Sequence, residues 1–262
     1  MADEHFEKYR KKLDKLNLRT GKDLENLVKP LIKEAVKIIV KKPSKMPEAS
    51  HLISHFGGQP YFEKGEEWPR ARDDFRKKCN LEFVFQIYNE GGVLPDNIKL
   101  LQFYYDLDGE LSFETNDGGW LVKIYKSINP QNFLFLKKPK AHTTVKYCEI
   151  EYKKIKTLPV WDGLDDYSPN ASMLSCVLDE DEPWKNYQKI AKKFVGEQDI
   201  WSQLGGYAHW IQGNESPDKN KFSLLFQIDS EDNAGLMWGD CGMVYVFYNK
   251  TNKKIEFRLQ CL

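Results

Sequence analysis

The sequence predicts an α+β protein made mostly of antiparallel β-sheets from an internal duplication, with helices at the N-terminus and one helix between the two copies. Aromatic residues form 13% of the 262 residues. They gather in short apolar runs between turn-forming residues, which is typical of paired strands. Apolar residues at helical spacing occur near the N-terminus and again around 184–194. The order of turns and strands in the first half returns in the second, so we expect a duplication.

The N-terminal segment, 1–42, is predicted to form a helical arm followed by the first strand. An amphipathic helix comes first, and Thr20 with Asp23 has the spacing of a capping box that starts a second helix. Pro30 should end or kink that helix, and the β-branched run 35–40 favours a strand. A helix that continues through Pro30 is the alternative. The arm is expected to cap the main fold, and docking to an acidic partner or a membrane surface is the other interpretation.

The first predicted β copy spans 43–155. Gly57 and Gly58 mark a tight turn. The run 81–88 is apolar except for Gln86, which predicts a central strand buried on both faces. Further strands are predicted at 100–107, 111–113, 120–125 and 145–155.

The second copy, 156–262, is predicted to begin with a loop and a helix. Residues 156–180 contain two prolines and a glycine, so we expect a loop with at most one short turn. A helix should follow between Pro183 and Gly196, since proline suits the first turn of a helix and glycine its end. Strands are then predicted at 222–229, 243–248 and 255–261.

The duplication rests on segments that recur with nearly constant spacing. Both copies have, in order, a glycine pair, a buried strand with one Gln, and an aromatic strand ending in Asp or Asn. The matched segments are 56–58 with 204–206, 85–87 with 226–228, and 103–106 with 246–249. Chance recurrence in an aromatic-rich β protein is the alternative.

Composition excludes several classes of protein. Lys plus Arg equals Asp plus Glu, 39 each, whereas a nucleic-acid binder usually has a basic excess. None of the five cysteines belongs to a C-x-x-C pair, which predicts reduced thiols in a cytoplasmic protein. No apolar run is long enough for a membrane helix. We therefore expect neither nucleic acid nor membrane as a partner.

A combination of short motifs resembles a known family. The motifs lie at 56–60 (F-G-G-Q-P), 68–69 (W-P), 85–87 (F-Q-I), 204–207 (L-G-G-Y), 225–229 (L-F-Q-I-D) and 237–240 (M-W-G-D). Together they resemble the YwqG-like family, a bacterial family without a settled activity. The resemblance implies one α+β, mostly antiparallel domain over 1–262 in a bacterial cytosolic protein. Such proteins are sometimes found beside secreted-toxin loci, which hints at a protein partner. The family supplies no catalytic residues to carry over.

Seven residues are candidates for ligand or partner binding. A buried amide must find hydrogen-bond partners, so a Gln in a buried strand either holds a loop or lines a cleft. Tryptophans beside hydrogen-bonding groups suit a small-ligand pocket or an interface, and core packing is the alternative. The candidates are Gln86, Trp210, Gln212, Gln227, Asp229, Trp238 and Asp240.

Asp229, Glu231, Asn233 and Asp240 have the spacing of calcium ligands in an EF-hand. The loop glycine is displaced and strands flank the loop, so a solvated acidic turn is the preferred interpretation and no metal is expected. Phosphate-binding loops and nucleophile elbows are absent. The sequence therefore favours a non-enzymatic binding or protein-interaction module without cofactor, with a link to toxin immunity as a further hypothesis. The alternative is a small-ligand sensor or enzyme with a cleft near Asp229, Asp240, Gln86 and Gln227.

Overall fold

The computed structural model describes residues 2–47, 52–72, 79–197, 199 and 201–262. Within them it has five α-helices: α1 (Ala2–Lys15), α2 (Gly21–Val28), α3 (Trp161–Tyr167), α4 (Pro169–Leu178) and α5 (Pro183–Val195). Ten strands are described: β1 (Lys33–Val40), β2 (His55–Phe56), β3 (Glu82–Tyr88), β4 (Leu100–Tyr105), β5 (Trp120–Tyr125), β6 (Cys148–Thr157), β7 (Gln203–Gly205), β8 (Ser223–Asp229), β9 (Met243–Tyr248) and β10 (Ile255–Gln260). The fold is a mixed α+β fold that is mostly β.

All ten strands form one antiparallel sheet in the order β10-β9-β8-β7-β1-β6-β2-β3-β4-β5. The sheet curls until its two edges nearly meet. The Trp120 ring of β5 stacks on Phe257 of β10 with centroids 4.9 Å apart. The Leu259 N–H of β10 donates to the Phe113 carbonyl at 2.9 Å, in the segment just before β5. The sheet is thus nearly closed, and one face lines an enclosed interior.

Aromatic side chains fill that interior. Phe226 of β8 packs against Phe85 of β3 at 5.1 Å and against Phe103 of β4 at 5.5 Å between ring centroids. These strands are far apart in the sheet, so the contacts cross the interior. The predicted central strands are present, and both faces of β3 are buried because loops cover the outer face, which is the face turned away from the interior.

We call β1–β5 the first half of the sheet and β6–β10 the second half, whereas the predicted copies assign the strand at 145–155 to the first copy. The first strands of these halves, β1 and β6, lie side by side in the middle of the sheet. All eight residues of β1 pair with β6. β1 also pairs with β7, and β6 pairs with β2. Each half's first strand is therefore separated from the rest of its own half by the first strand of the other half.

Local details also occur twice. The register of β3 with β4 shifts between Phe83 and Phe85, and the register of β8 with β9 shifts between Leu224 and Phe226. Each shift lies just before the Gln of its strand. The Gly57–Gly58 and Gly205–Gly206 pairs all have positive φ angles, between 54° and 75°.

The five helices pack into a separate apolar cluster beside the sheet. The capping box predicted for α2 is present, since the Asp23 N–H donates to the Thr20 hydroxyl oxygen at 3.2 Å and the Thr20 N–H to the Asp23 carboxylate at 2.9 Å. A helix does not continue through Pro30, because α2 ends at Val28 and β1 starts at Lys33. No helix among the described residues is long and apolar enough to cross a membrane.

Two predictions of secondary structure were wrong, one at 156–180 and one at 111–113. Residues 156–180 contain the end of β6 and the helices α3 and α4, so three helices lie between the two β-rich parts instead of one. Ser168 caps α4 and Pro169 occupies its first turn, so the proline that resembled a loop starts a helix. The predicted strand 111–113 is not formed, and only a single bridge joins Glu114 to Arg258.

Replacing Phe257 tests the closure of the sheet. Phe257 is fully buried between the two edges, so Phe257→Ala should lower the free energy of unfolding in urea by about 3–5 kcal/mol. The control is Phe113→Ala, whose side chain is 42% exposed and whose loss should cost within about 0.5 kcal/mol. Equal losses in the two variants would contradict the packing described here.

Candidate functional site

Gln86 is fully buried and holds a loop against the outer face of the sheet. Its Oε1 accepts from the Tyr61 N–H at 3.0 Å and its Nε2 donates to the Ile53 carbonyl at 2.8 Å. Gln102 also donates to its Oε1, at 3.1 Å. The amide is therefore used for internal hydrogen bonds that fix the path of the chain before and after β2.

Gln227 does the same in the second half. Its Oε1 accepts from the His209 N–H at 3.0 Å and its Nε2 donates to the Trp201 carbonyl at 2.8 Å. Since successive side chains of a strand point to opposite faces, and Phe85 meets Phe226 in the interior, both glutamines point outward. The structure does not bring the two amides into one cleft.

Trp238 and Asp229 meet beside the interior of the sheet. Trp238 is fully buried against Tyr105, with centroids 5.1 Å apart, and its indole N–H donates to the Asp229 carbonyl at 3.2 Å. The Asp229 carboxylate accepts from the Ser230 N–H at 2.8 Å. Burial raises the pKa of Asp229 above its usual value. These contacts hold the turn after β8.

Asp240 and Gln212 are exposed and lie near the C-terminal end of the chain. The backbone carbonyl of Asp240 accepts from the Leu262 N–H at 2.9 Å. The Gln212 N–H donates to Gln260 at 3.0 Å, and its side chain donates to the Cys261 carbonyl. No cluster of three or more metal-ligating His, Cys, Asp or Glu side chains is found among the described residues.

Glu231 is a titratable group whose environment the sequence did not indicate. Burial raises its pKa to about 7, and the charges of Asp229 and Asp232 act in the same direction. The Ser202 hydroxyl donates to its carboxylate, which opposes the shift. Lys37 also opposes it, and the Lys37 ammonium lies 4.2 Å from the Trp201 ring centroid.

A cleft of about 710 Å³ lies between α5, the start of α3 and the segment around His209. We call it the α5 cleft. Trp210 is the one sequence-predicted candidate among the residues that line it. Its other aromatic and charged lining residues are Trp161, Asp162, Trp184, Lys185, Tyr187, Lys189, Lys192, Glu197 and His209.

Helix α5 forms one wall of the α5 cleft. Pro183 starts the helix, and its apolar face, with Tyr187 and Ile190, is buried in the helical cluster. Trp184 continues that face into the cleft, where it stays 38% exposed. Lysines at i, i+4 and i+7 share one side of a helix, and the three lysines of the cleft have this spacing: Lys185, Lys189 and Lys192.

The opposite wall is held by the sheet. Trp210 stacks on Phe247 with centroids 5.8 Å apart, and the Tyr245 hydroxyl donates to the His209 carbonyl at 2.8 Å. The Gln227 Oε1 accepts from the His209 N–H. Burial lowers the pKa of the His209 imidazole, so the ring is neutral at pH 7. Gln227 thus supports the α5 cleft without lining it.

The α5 cleft combines indole faces, a neutral imidazole and a row of ammonium groups. Such groups bind aromatic, apolar and anionic parts of a ligand. The sequence contained one indication of this wall: Trp184 lies on the apolar face of α5 with basic residues around it. The opposing wall could not be found from the sequence, because it depends on how the segment around His209 packs against the helices.

The family comparison covers most of the sheet. A protein-family model described as "Domain of unknown function (DUF1963)" matches residues 54–257, which excludes α1, α2 and β1. A search of the curated proteins found no match.

Glu231 should make stability depend on pH. Because its pKa is about 7 in the folded protein and 4.5 in the reference state, the protonated form favours folding. This stabilisation is present below pH 4.5 and is lost as the pH rises to 7. The free energy of unfolding of the wild type, measured by urea denaturation, should therefore fall over this pH range by up to about 3 kcal/mol more than that of Glu231→Gln.

Glu90 is exposed in the corresponding turn after β3, so Glu90→Gln provides the control. A Glu231→Gln variant with the same pH dependence as the wild type would contradict the assignment.

Proposed function

The chain belongs to the DUF1963 family of unknown function, and we propose that it is a non-enzymatic protein-interaction module that binds an acidic segment of a partner protein in the α5 cleft. The observation that carries the proposal is the row of Lys185, Lys189 and Lys192 beside the exposed ring of Trp184. Acidic side chains would meet the lysines while an apolar side chain covers the indole.

The lysines are available for a partner. Lys185 pairs with Glu182 and Lys192 with Glu197, but both pairs are exposed. Exposed ion pairs contribute only about 0–1 kcal/mol, so a partner carboxylate can replace Glu182 or Glu197 at little cost. Lys189 has no ion pair with any described residue. An acidic segment would gain charge contacts without breaking strong ones.

Trp184 is the expected anchor of the interface. Tryptophan is enriched among residues that dominate binding energy, especially in pockets that exclude water on binding. Tyr187 and Ala191 also line the cleft, and Trp161 lies beside Tyr187 with centroids 6.2 Å apart. Because the Tyr187 side chain is buried, it loses little further conformational freedom when a partner binds.

A small-ligand sensor is the second candidate. The volume of about 710 Å³ lies within the range of small-molecule sites, and His209 offers a neutral hydrogen-bonding ring. Against an enzyme of the predicted kind, Asp229, Asp240, Gln86 and Gln227 lie outside the residues that line the α5 cleft. The row of lysines on the open side favours a charged segment over an enclosed small ligand.

We also propose an internal duplication. In support, Gln86 and Gln227 make the same pair of backbone hydrogen bonds, and Ser54 and Ser202 accept from the N–H at the end of the neighbouring strand, Tyr88 and Asp229, at 2.9 and 3.0 Å. Strand order and register shifts repeat as well.

The assignment to the YwqG-like proteins of the bacterial cytosol remains part of the proposal. The six motifs quoted above and the absence of C-x-x-C pairs from the sequence support it. Under this assignment a secreted toxin is a candidate partner, and the acidic segment would belong to it.

Peptide selection tests the proposed function. From a random-peptide phage library, the wild type should enrich acidic sequences that contain an apolar residue, and binding of the enriched peptides should weaken with salt. Lys185→Glu/Lys189→Glu/Lys192→Glu and, separately, Trp184→Ala should each weaken binding by about tenfold or more.

The matched control reverses three exposed lysines on α1, Lys8→Glu/Lys11→Glu/Lys12→Glu, and should bind as the wild type does. Selection of neutral or basic peptides would contradict the proposal. So would acidic peptides that bind both triple variants equally.

A further inference from the structure

A second cavity, about 290 Å³, lies where the turn between β3 and β4 reaches the ends of β8 and β9. We propose that it binds a small organic molecule through a phosphate group. The site is separate from the α5 cleft, and the proposal does not depend on the function proposed for that cleft.

The cavity is positively charged. Lys33 and Lys250 are its charged lining residues, and no acidic side chain lines it among the described residues. Neither lysine has an ion pair with a described residue. The Lys33 ammonium lies 4.1 Å from the Tyr207 ring centroid. Two ammonium groups without carboxylates match the charge of a phosphate monoester.

The backbone at Gly205 leaves room for a ligand. Its φ is +68°, and the nearest atom to the position of a Cβ there is the Glu34 carbonyl oxygen at 4.0 Å. At Gly57, which occupies the matching place beside β2, a Cβ would lie 2.3 Å from the Val145 carbonyl oxygen. Packing therefore explains the glycine at 57, whereas the space at Gly205 is open and borders the cavity. A glycine allows a ligand to approach the backbone closely.

The matching place in the first half is neither open nor basic. Ser223 faces Tyr248 in the sheet, and Glu82 faces Tyr105 in the same register. The Glu82 carboxylate is buried and paired with Lys138. Val145, which precedes β6 and is buried in the sheet interior, has the place beside β2 that Lys33 has beside β7. The basic cavity thus has no counterpart at the matching place.

Hydroxyl donors complete the site. Ser223 and Tyr248 both line the cavity. The Tyr248 hydroxyl oxygen accepts from the Asn97 side chain at 3.1 Å, so its own proton can be donated to a phosphate oxygen. The cavity is larger than one phosphate ion requires, and Leu94 and Leu224 supply apolar walls. We therefore assign a phosphate ester and not the free ion as the preferred ligand.

NMR titration of the full chain tests the proposal. Phenyl phosphate should shift the amide resonances of Gly205 and Gly206 saturably and bind more tightly than inorganic phosphate. Lys33→Met should weaken phenyl phosphate binding by about tenfold, whereas Lys126→Met, at an exposed lysine elsewhere, should not change it.

A glycine substitution and a competition with acetate test the proposal further. Gly205→Ala should abolish binding, and Gly65→Ala, which has a φ of +91° with no atom near its Cβ position, controls for the strain of a left-handed alanine. Acetate should not compete. Equal binding by Lys33→Met and Lys126→Met, shifts that avoid Gly205 and Gly206, or acetate binding as tight as that of phenyl phosphate would overturn the proposal.

Discussion

The pairing of β1 with β6 is the contact on which the rest of the structure depends. Each strand lies between the other and the remaining strands of the opposite half, so this pairing joins the two four-stranded parts, β2–β5 and β7–β10, into one sheet. The eight-residue ladder fixes the register of both halves at once. In the nearly closed sheet Phe85 meets Phe226, and Trp120 of one edge stacks on Phe257 of the other. Loss of this ladder would expose the aromatic interior.

The outer faces of the two halves of the sheet are covered differently, although a buried glutamine binds the covering loop in each half. Gln86 and Gln227 each bind the loop that covers the strand. Over the first half the covering is closed by packing around Phe62 and Trp68. Over the second half the helices stand beside the loop, and the space between them is the α5 cleft. The basic cavity near Gly205 also arises from a difference between matched positions. Both candidate sites therefore lie where the halves diverge.

Much of the fold could be predicted because its local rules are strong. Apolar runs and turn residues located the central strands, and the capping box located the start of α2. Helices α3 and α4 were missed because Pro159, Gly163 and Pro169 are typical of a loop. A proline such as Pro169 can also begin a helix, and local sequence does not decide between the two. Of the seven candidate residues, Trp210 lines the α5 cleft. Of the others, Asp240 is exposed and the remaining five hold turns, loops or core. A side chain's neighbours across the sheet cannot be deduced from spacing along the chain.

By itself, the sequence determined which segments become the longer strands, the need of Gln86 and Gln227 for hydrogen-bond partners, and the balance of charge. These follow from side-chain chemistry and from short-range periodicity. Only the tertiary structure decided that β1 pairs with β7 of the second half and β6 with β2 of the first half. It also decided that Trp184 faces His209 across a cleft and that Lys33 and Lys250 share a cavity. Such neighbours are distant in the chain, and the closing of the sheet, which depends on all its strands together, brings them into contact.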